Sequence, residues 1–144
     1  MNKPPDLEET NVGVHALLVT PEGQIILQKR DINPNIVNSG KISIFGGTLK
    51  ANDDLLTGLK RELMEELELN IDNYSLDKLG TYIKTKELDG VNYTIHIYTV
   101  ENVDPASLHL HEGAGFVINK PEELLKNPAL TRITKLALED YAKP

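Results

Sequence analysis

The stretch that decides the reading of this chain runs from residue 46 to residue 69, GGTLKANDDLLTGLKRELMEELEL. Leu55, Leu59, Leu63 and Leu67 recur every four residues, with Leu56 beside them. That spacing predicts an amphipathic helix with its apolar stripe turned to a core. Asn52, Asp53 and Asp54 offer cap candidates at its start. Glu62, Glu65 and Glu66 fall on another part of the circumference. Residues three and four apart are neighbours on a helix, so Glu62 lies beside both other carboxylates, a repulsion of about 0.2–0.5 kcal/mol per pair. A solvated acidic face would account for such a cluster on its own, with Lys60 and Arg61 compensating part of it. A hard cation such as Mg²⁺ would also offset the repulsion, because it takes carboxylate and carbonyl oxygens and keeps several waters.

Outward from the helix, the flanking segments read mostly as hairpins. Upstream, VGVHALLVT (12–20), a PEG turn and QIILQKR (24–30) form the first. A polar loop follows (31–41), then ISIF (42–45), a short strand expected to end at Gly46-Gly47. Downstream, KLGTYIKTKEL (78–88), Asp89-Gly90 and VNYTIHIYTV (91–100) read as a second hairpin, since Asp-Gly is a strong turn signal. GAGFVIN (113–119) is a further strand, KPEELLKN (120–127) has Pro at a helix start, and ALTRITKLALEDYAK (129–143) is a closing amphipathic helix. Hairpins with helices between and after them predict a mixed sheet covered by helices, an α+β fold with layered α/β/α character. Residues 1–11 read as a polar tail or edge segment, and 12–144 as one domain, which suits the length of 144 residues.

Composition narrows the function classes. A net charge of −7 argues against a general nucleic-acid binder, which needs a basic surface, and against docking on anionic membranes. An anionic small ligand stays open, because a bound divalent cation reverses the local field. The chain has no Cys, which removes disulfides, thiolate zinc sites and thiol chemistry. The opening MNKPPDLEET lacks the apolar core of a signal peptide, and no run approaches 18 apolar residues, so the expectation is a cytoplasmic protein.

The acidic helix and the glycines before it resemble the signature of the Nudix hydrolases, G-x5-E-x7-R-E-U-x-E-E-x-G-U with U a bulky apolar residue. Gly47, Arg61, Glu62, Glu65 and Glu66 match outright, with Leu63 and Leu69 at apolar positions. Five such matches arise by chance roughly once in 10⁶ at a given register, from residue frequencies near one in fifteen. Two positions depart: Asp53 stands where the family has Glu, and Glu68 where it has Gly. The helix is expected to run on to Asn70, which can replace that Gly. The resemblance implies a Nudix fold and a hydrolase that cleaves the diphosphate linkage of a nucleoside diphosphate joined to another moiety, with Mg²⁺, or Mn²⁺ in its place. It implies that the Gly46 carbonyl and the Glu62 and Glu66 carboxylates hold the metal, with Glu65 as a further or water-mediated ligand. Arg61 would hold the carboxylates in place and Asp53 orient them from the loop. The base would be a helix Glu, with Glu66 the candidate, or a Glu in a later loop, where HLHEGAGF (109–116) supplies Glu112. Gly47 would let backbone approach substrate closely.

Other residues carry weaker signals. Arg30 and Lys29 end the second strand and could meet phosphate, or be solvated strand-end charges. His109 and His111 alternate with Leu108 and Leu110, as on an exposed strand face. Tyr82 and Tyr98 could stack on a base or pack in the core. The competing function is a Nudix-fold module that binds a nucleotide without cleaving it; intact Glu62, Glu65 and Glu66 argue against that. An isoprenoid-diphosphate isomerase on the same fold would call for a Cys that this chain lacks. The partner expected is a small nucleotide whose identity the sequence leaves open, and a homodimer is compatible with the family.

Overall fold

The computed structural model describes residues 9–33, 35, 39–85, 92–111 and 113–144. In chain order the elements are β1 (Glu9–Val19), β2 (Ile25–Lys29), β3 (Ile42–Ser43), β4 (Phe45–Lys50), α1 (Leu55–Leu67), β5 (Leu76–Thr85), β6 (Asn92–Val100), β7 (Gly115–Asn119), α2 (Pro121–Leu124) and α3 (Arg132–Ala142). The sheet runs β3-β2-β1-β6-β5, with β4 added on β1 and β7 on β2. Its one parallel pair among these is β1 with β6; the rest are antiparallel, so the sheet is mixed, as the hairpin pattern predicts.

Strand alternation sorts the core into two layers. Val14, Ala16 and Leu18 of β1 turn one way, into a cluster with Ile26, Phe45, Leu49 and the α1 stripe Leu59, Leu63 and Leu67. Leu17 and Val19 turn the other way, into a cluster with Ile25, Leu27, Ile42, Ile44, Ile95, Ile97 and Ala137 and Leu138 of α3. Because helices cover both faces, β1 and β2 are apolar at consecutive positions rather than at alternate ones. This is the layered α/β/α arrangement expected. Leu56, beside the stripe, stands at the surface.

Several boundaries differ from the sequence reading. β1 begins at Glu9, so residues 9–11 of the expected tail or edge segment belong to the sheet; Glu9 pairs with Lys50. Gly46-Gly47 does not end a strand. Both glycines lie inside β4, opposite His15 and Val14 of β1. β7 starts at Gly115, and α3 starts at Arg132 behind the cap of Thr131. The segment 108–111 alternates Leu inward and His outward, but it is not a strand. It is pinned to the end of α1 by His109 N–H to Leu67 O and His111 N–H to Glu66 O, both 3.0 Å. The second hairpin pairs Leu76–Thr85 with Asn92–Val100; its Asp89-Gly90 turn lies outside the described residues.

The end of α1 is the clearest departure. The helix stops at Leu67 rather than running on to Asn70, and Glu68 itself takes the left-handed conformation, at φ 54° and ψ 33°. Its N–H reaches the carbonyls of Leu63 and Met64, which closes the helix as a Gly would. Its carboxylate meets His111 Nε2 at 2.9 Å. A left-handed residue with a Cβ costs about 1–2 kcal/mol. Gly returns about 0.4–1 kcal/mol of that through the freer unfolded chain. Glu68→Gly is therefore expected to raise the unfolding free energy by about 0.5–1 kcal/mol in urea titration, and Glu68→Ala to leave it near that of the natural chain.

Candidate active site

Two glycines set the approach of β4 to its neighbours, Gly46 to β1 and Gly47 to α1. At Gly46, φ is +140°, and a Cβ would lie 2.3 Å from the Val14 carbonyl oxygen and 2.6 Å from His15 Cα. No side chain fits there. At Gly47 a Cβ would lie 2.6 Å from the Glu62 carboxyl group. Glu62 thus rests against the Gly47 backbone, and Glu66 accepts a hydrogen bond from Gly46 N–H at 3.3 Å through Oε1. The structure brings together Gly46, Gly47, Glu62 and Glu66, four of the residues that the motif singles out.

The helix start is fixed by two neighbouring aspartates with separate tasks. Asp54 caps α1 by accepting from Thr57 N–H at 2.8 Å. Asp53 accepts from Lys50 N–H at 2.9 Å and from Arg61 Nη1 at 2.5 Å. Arg61 in turn lies 3.5 Å from Glu62 Oε1 through Nη2. A relay therefore runs from the β4–α1 turn through Asp53 and Arg61 to Glu62. The shorter side chain at position 53 keeps its contact with Arg61, and Gly58 makes room for Leu49 beside it, since a Cβ there would meet Leu49 Cδ2 at 2.1 Å. Lys60, the other compensating cation considered, pairs with Asp72 and not with the glutamates.

Electrostatics are uneven along this relay. Burial would raise the Asp53 carboxyl, but Arg61 and the Lys50 N–H outweigh it and hold Asp53 below the ordinary value of 3.8. Glu62 is pushed the other way, first by its own burial and then by the charge of Glu65, with Arg61 opposing. Glu65 is exposed. A half-buried carboxylate beside another is the setting in which a cation is most favourable, and the donors are hard oxygens. Among the described residues no three acidic or histidine side chains converge on one point. Mg²⁺ asks for less: one or two carboxylates, water and substrate phosphate suffice. Glu62, Glu66 and the Gly46 backbone fit that demand. Glu112 lies outside the described residues.

A cavity of about 600 Å³ reaches Gly46 from the α3 face of the sheet, lined among others by His15, Gln28, Arg30, Ser43 and Thr131. His15 Nδ1 lies 3.2 Å from the Phe45 carbonyl, and burial lowers its pKa to about 4, so the ring is neutral and Nδ1–H is the donor. Of the weaker candidates, Arg30 lines this cavity and Lys29 does not. Tyr82 packs in the α3 layer and donates to Asp140 Oδ2 at 2.5 Å, and Tyr98 packs in the α1 layer. Both are partly buried and packed against the core. Sequence reading missed His15, Gln28, Lys41, Lys84 and Arg132 as cavity residues, because they come from separate elements and share no local spacing.

The fold is that of a Nudix domain, and the Nudix domain profile matches residues 9–135. The chain belongs to the Nudix hydrolase family. Solved structures similar to it include the E. coli ORF135 protein, at 25% identity over 90% of this chain and 86% of that one with a TM-score of 0.68. The E. coli dihydroneopterin triphosphate pyrophosphohydrolase aligns at 11% identity over 94% and 97% with a TM-score of 0.75. A C. elegans Ap4A hydrolase aligns at 13% identity over 91% and 94% with a TM-score of 0.70. No curated protein sequence matches the chain.

Two outcomes follow for the relay. Asp53 has a depressed folded-state pKa, so its contribution to stability is complete above the ordinary value of 3.8 and fades as pH falls through the lower folded value. Asp53→Asn is expected to lower stability at neutral pH and to flatten the acid limb of unfolding free energy against pH, measured by urea titration below pH 5. Gly47→Ala is expected to keep the fold but to cut catalytic turnover by at least about 10²-fold, because the new methyl displaces the Glu62 carboxylate.

Proposed function

We propose that this protein is a divalent-cation-dependent hydrolase that cleaves the diphosphate linkage of a nucleoside diphosphate joined to another moiety. The observation that carries the reading is that Gly46 belongs to two features at once: its N–H bonds the Glu66 carboxylate, and it lines the large cavity. A substrate seated in that cavity would present its diphosphate beside the helix carboxylates. Glu62, Glu66 and the Gly46 carbonyl would hold Mg²⁺, or Mn²⁺ in its place, with Glu65 as an outer ligand. When bound, such an ion neutralises phosphate oxygens and acidifies the attacking water.

The chain's own residues supply the remainder. Glu66 or Glu112 takes the proton from the attacking water. Asp53 and Arg61 are positioning residues that keep the Glu62 carboxylate in place. Gly47 has no side chain between its backbone and the bound phosphates, and Arg30 meets a phosphate from the cavity side. Among the described residues no helix is long and apolar enough to cross a membrane. The reading is of a cytoplasmic enzyme acting on small nucleotides, not on nucleic acid or membranes, with a homodimer as its compatible assembly.

The test is turnover of a panel of nucleoside diphosphate derivatives with and without Mg²⁺ on the natural chain, Glu66→Gln and Glu112→Gln. Metal-dependent turnover that falls by at least about 10²-fold in Glu66→Gln is the expected result. Loss of the alkaline-rising limb of the pH–rate profile in one variant alone identifies the base. Saturable nucleotide binding without turnover would replace the enzyme by a binding module.

A further inference from the structure

The cavity that reaches Gly46 has a lining unlike the rest of the chain. Its described residues include four cationic side chains, Arg30, Lys41, Lys84 and Arg132, and no carboxylate; the His15 imidazole is the one ring among them. In a chain of net charge −7 that is a marked segregation of charge. The four come from separate places in the fold: the residue after β2, the residue before β3, the outer end of β5 and the first turn of α3. Concentration of one sign in a cleft with low-dielectric walls raises the local concentration of the opposite charge. Here the walls include Ile44, Ile95 and Leu130.

The lysines are the more telling pair. Neither Lys41 nor Lys84 is ion-paired with a described carboxylate. Both are exposed, so they keep their hydration until a ligand arrives. A guanidinium can lie over a base or pair with phosphate, and Arg132 is already steadied by Nη1 donating to the Ile83 carbonyl at 3.3 Å. An ammonium on a flexible stem is a point charge that suits phosphate. A neutral sugar or a bare aromatic group in this cavity would leave those charges without counterpart.

We propose that the substrate carries at least one phosphate group beyond the two of the scissile linkage, and that Lys41, Lys84 and Arg132, with Arg30, hold it. This rests on the hydrolase reading and names the class of molecule it selects: polyphosphates, or diphosphates whose second moiety is itself phosphorylated. Such a substrate has an anionic group at each end of the Gly46 junction. The diphosphate lies by the helix glutamates and their cation, and the further phosphate lies among the cavity cations. The described lining, cationic and without a carboxylate, gives specificity by rejection as well as by attraction, since removing the phosphate leaves like charges facing one another.

Two measurements on the full chain test it, one independent of catalysis. Calorimetric titration with inorganic tripolyphosphate, in EDTA and at low salt, is expected to show saturable binding. That binding is expected to weaken by at least about 10-fold in the double variant Lys41→Gln, Lys84→Gln and to fall as salt rises. Absence of binding, or equal binding by the variant, overturns the proposal. With Mg²⁺ present, kcat/KM for dinucleoside polyphosphates that share the same bases is expected to rise at least about 10-fold from two phosphates to four. The ratio is expected to move toward one in the variant. A flat series, or a preference the variant retains, also overturns it. If no member of the series is cleaved, the hydrolase reading fails, and the tripolyphosphate titration still decides whether the cavity is a phosphate site. Both lysines are exposed, so the urea midpoint of the variant should match that of the natural chain.

Discussion

The structure depends on a close approach of backbone to carboxylate. Gly46 and Gly47 pass between β1 and α1, with no room for a side chain at Gly46 and room at Gly47 only if the Glu62 carboxylate moves. On one side the β1 backbone forbids a Cβ at Gly46; on the other the Glu62 carboxyl group occupies the place of a Cβ at Gly47. Everything else at the site is arranged to keep that gap. The leucine stripe presses α1 onto the sheet, Gly58 lets Leu49 lie against the helix, and Asp53 ties the incoming turn to Arg61. Burial of three leucines that are fully inaccessible contributes about 1.5–3 kcal/mol each, which far exceeds the few tenths lost to each repulsive glutamate pair. The helix can therefore hold an acidic edge that an isolated helix would disfavour.

That balance explains why repulsion among Glu62, Glu65 and Glu66 survives in the folded chain. Arg61 offsets part of it, but its guanidinium is shared with Asp53, its Nη2 reaches Glu62 only at 3.5 Å, and its Nε is buried without a hydrogen-bond partner among the described residues. A buried donor left unsatisfied costs about 1–3 kcal/mol. The relay is thus imperfectly satisfied, a state common where a site is organised for a ligand rather than for the protein alone. The Asp-for-Glu departure at position 53 is absorbed because the turn brings the carboxylate directly to Arg61.

How much of this was legible in sequence varies by element. The α1 stripe, a polar cap among Asn52, Asp53 and Asp54, and the layered mixed sheet follow from periodicity and turn chemistry; the structure selects Asp54 as the cap. The acidic triplet and Gly47 were visible as a spacing pattern, and the structure places Glu62 and Glu66 together at the glycines. Other features resisted for physical reasons. Gly-Gly reads as a strand end, yet β4 continues through it because β1 needs a partner without side chains at that crossing. Glu68 reads as a helix continuation, yet it turns left-handed because the contacts of 109 and 111 with the last carbonyls of α1 stop the helix there. The cationic cavity draws on residues more than a hundred positions apart, from Arg30 to Arg132, and no local pattern announces such a convergence.

The central claim is that Glu62 and Glu66, set against the Gly46-Gly47 backbone, form a divalent-cation site. A crystal of the natural chain soaked in Mn²⁺, with an anomalous difference map, tests it most directly. The account predicts a peak within coordination distance, about 2.0–2.2 Å for a small hard cation, of the Gly46 carbonyl and of the Glu62 and Glu66 carboxylates. A peak at other carboxylates, with none at this junction, would contradict it.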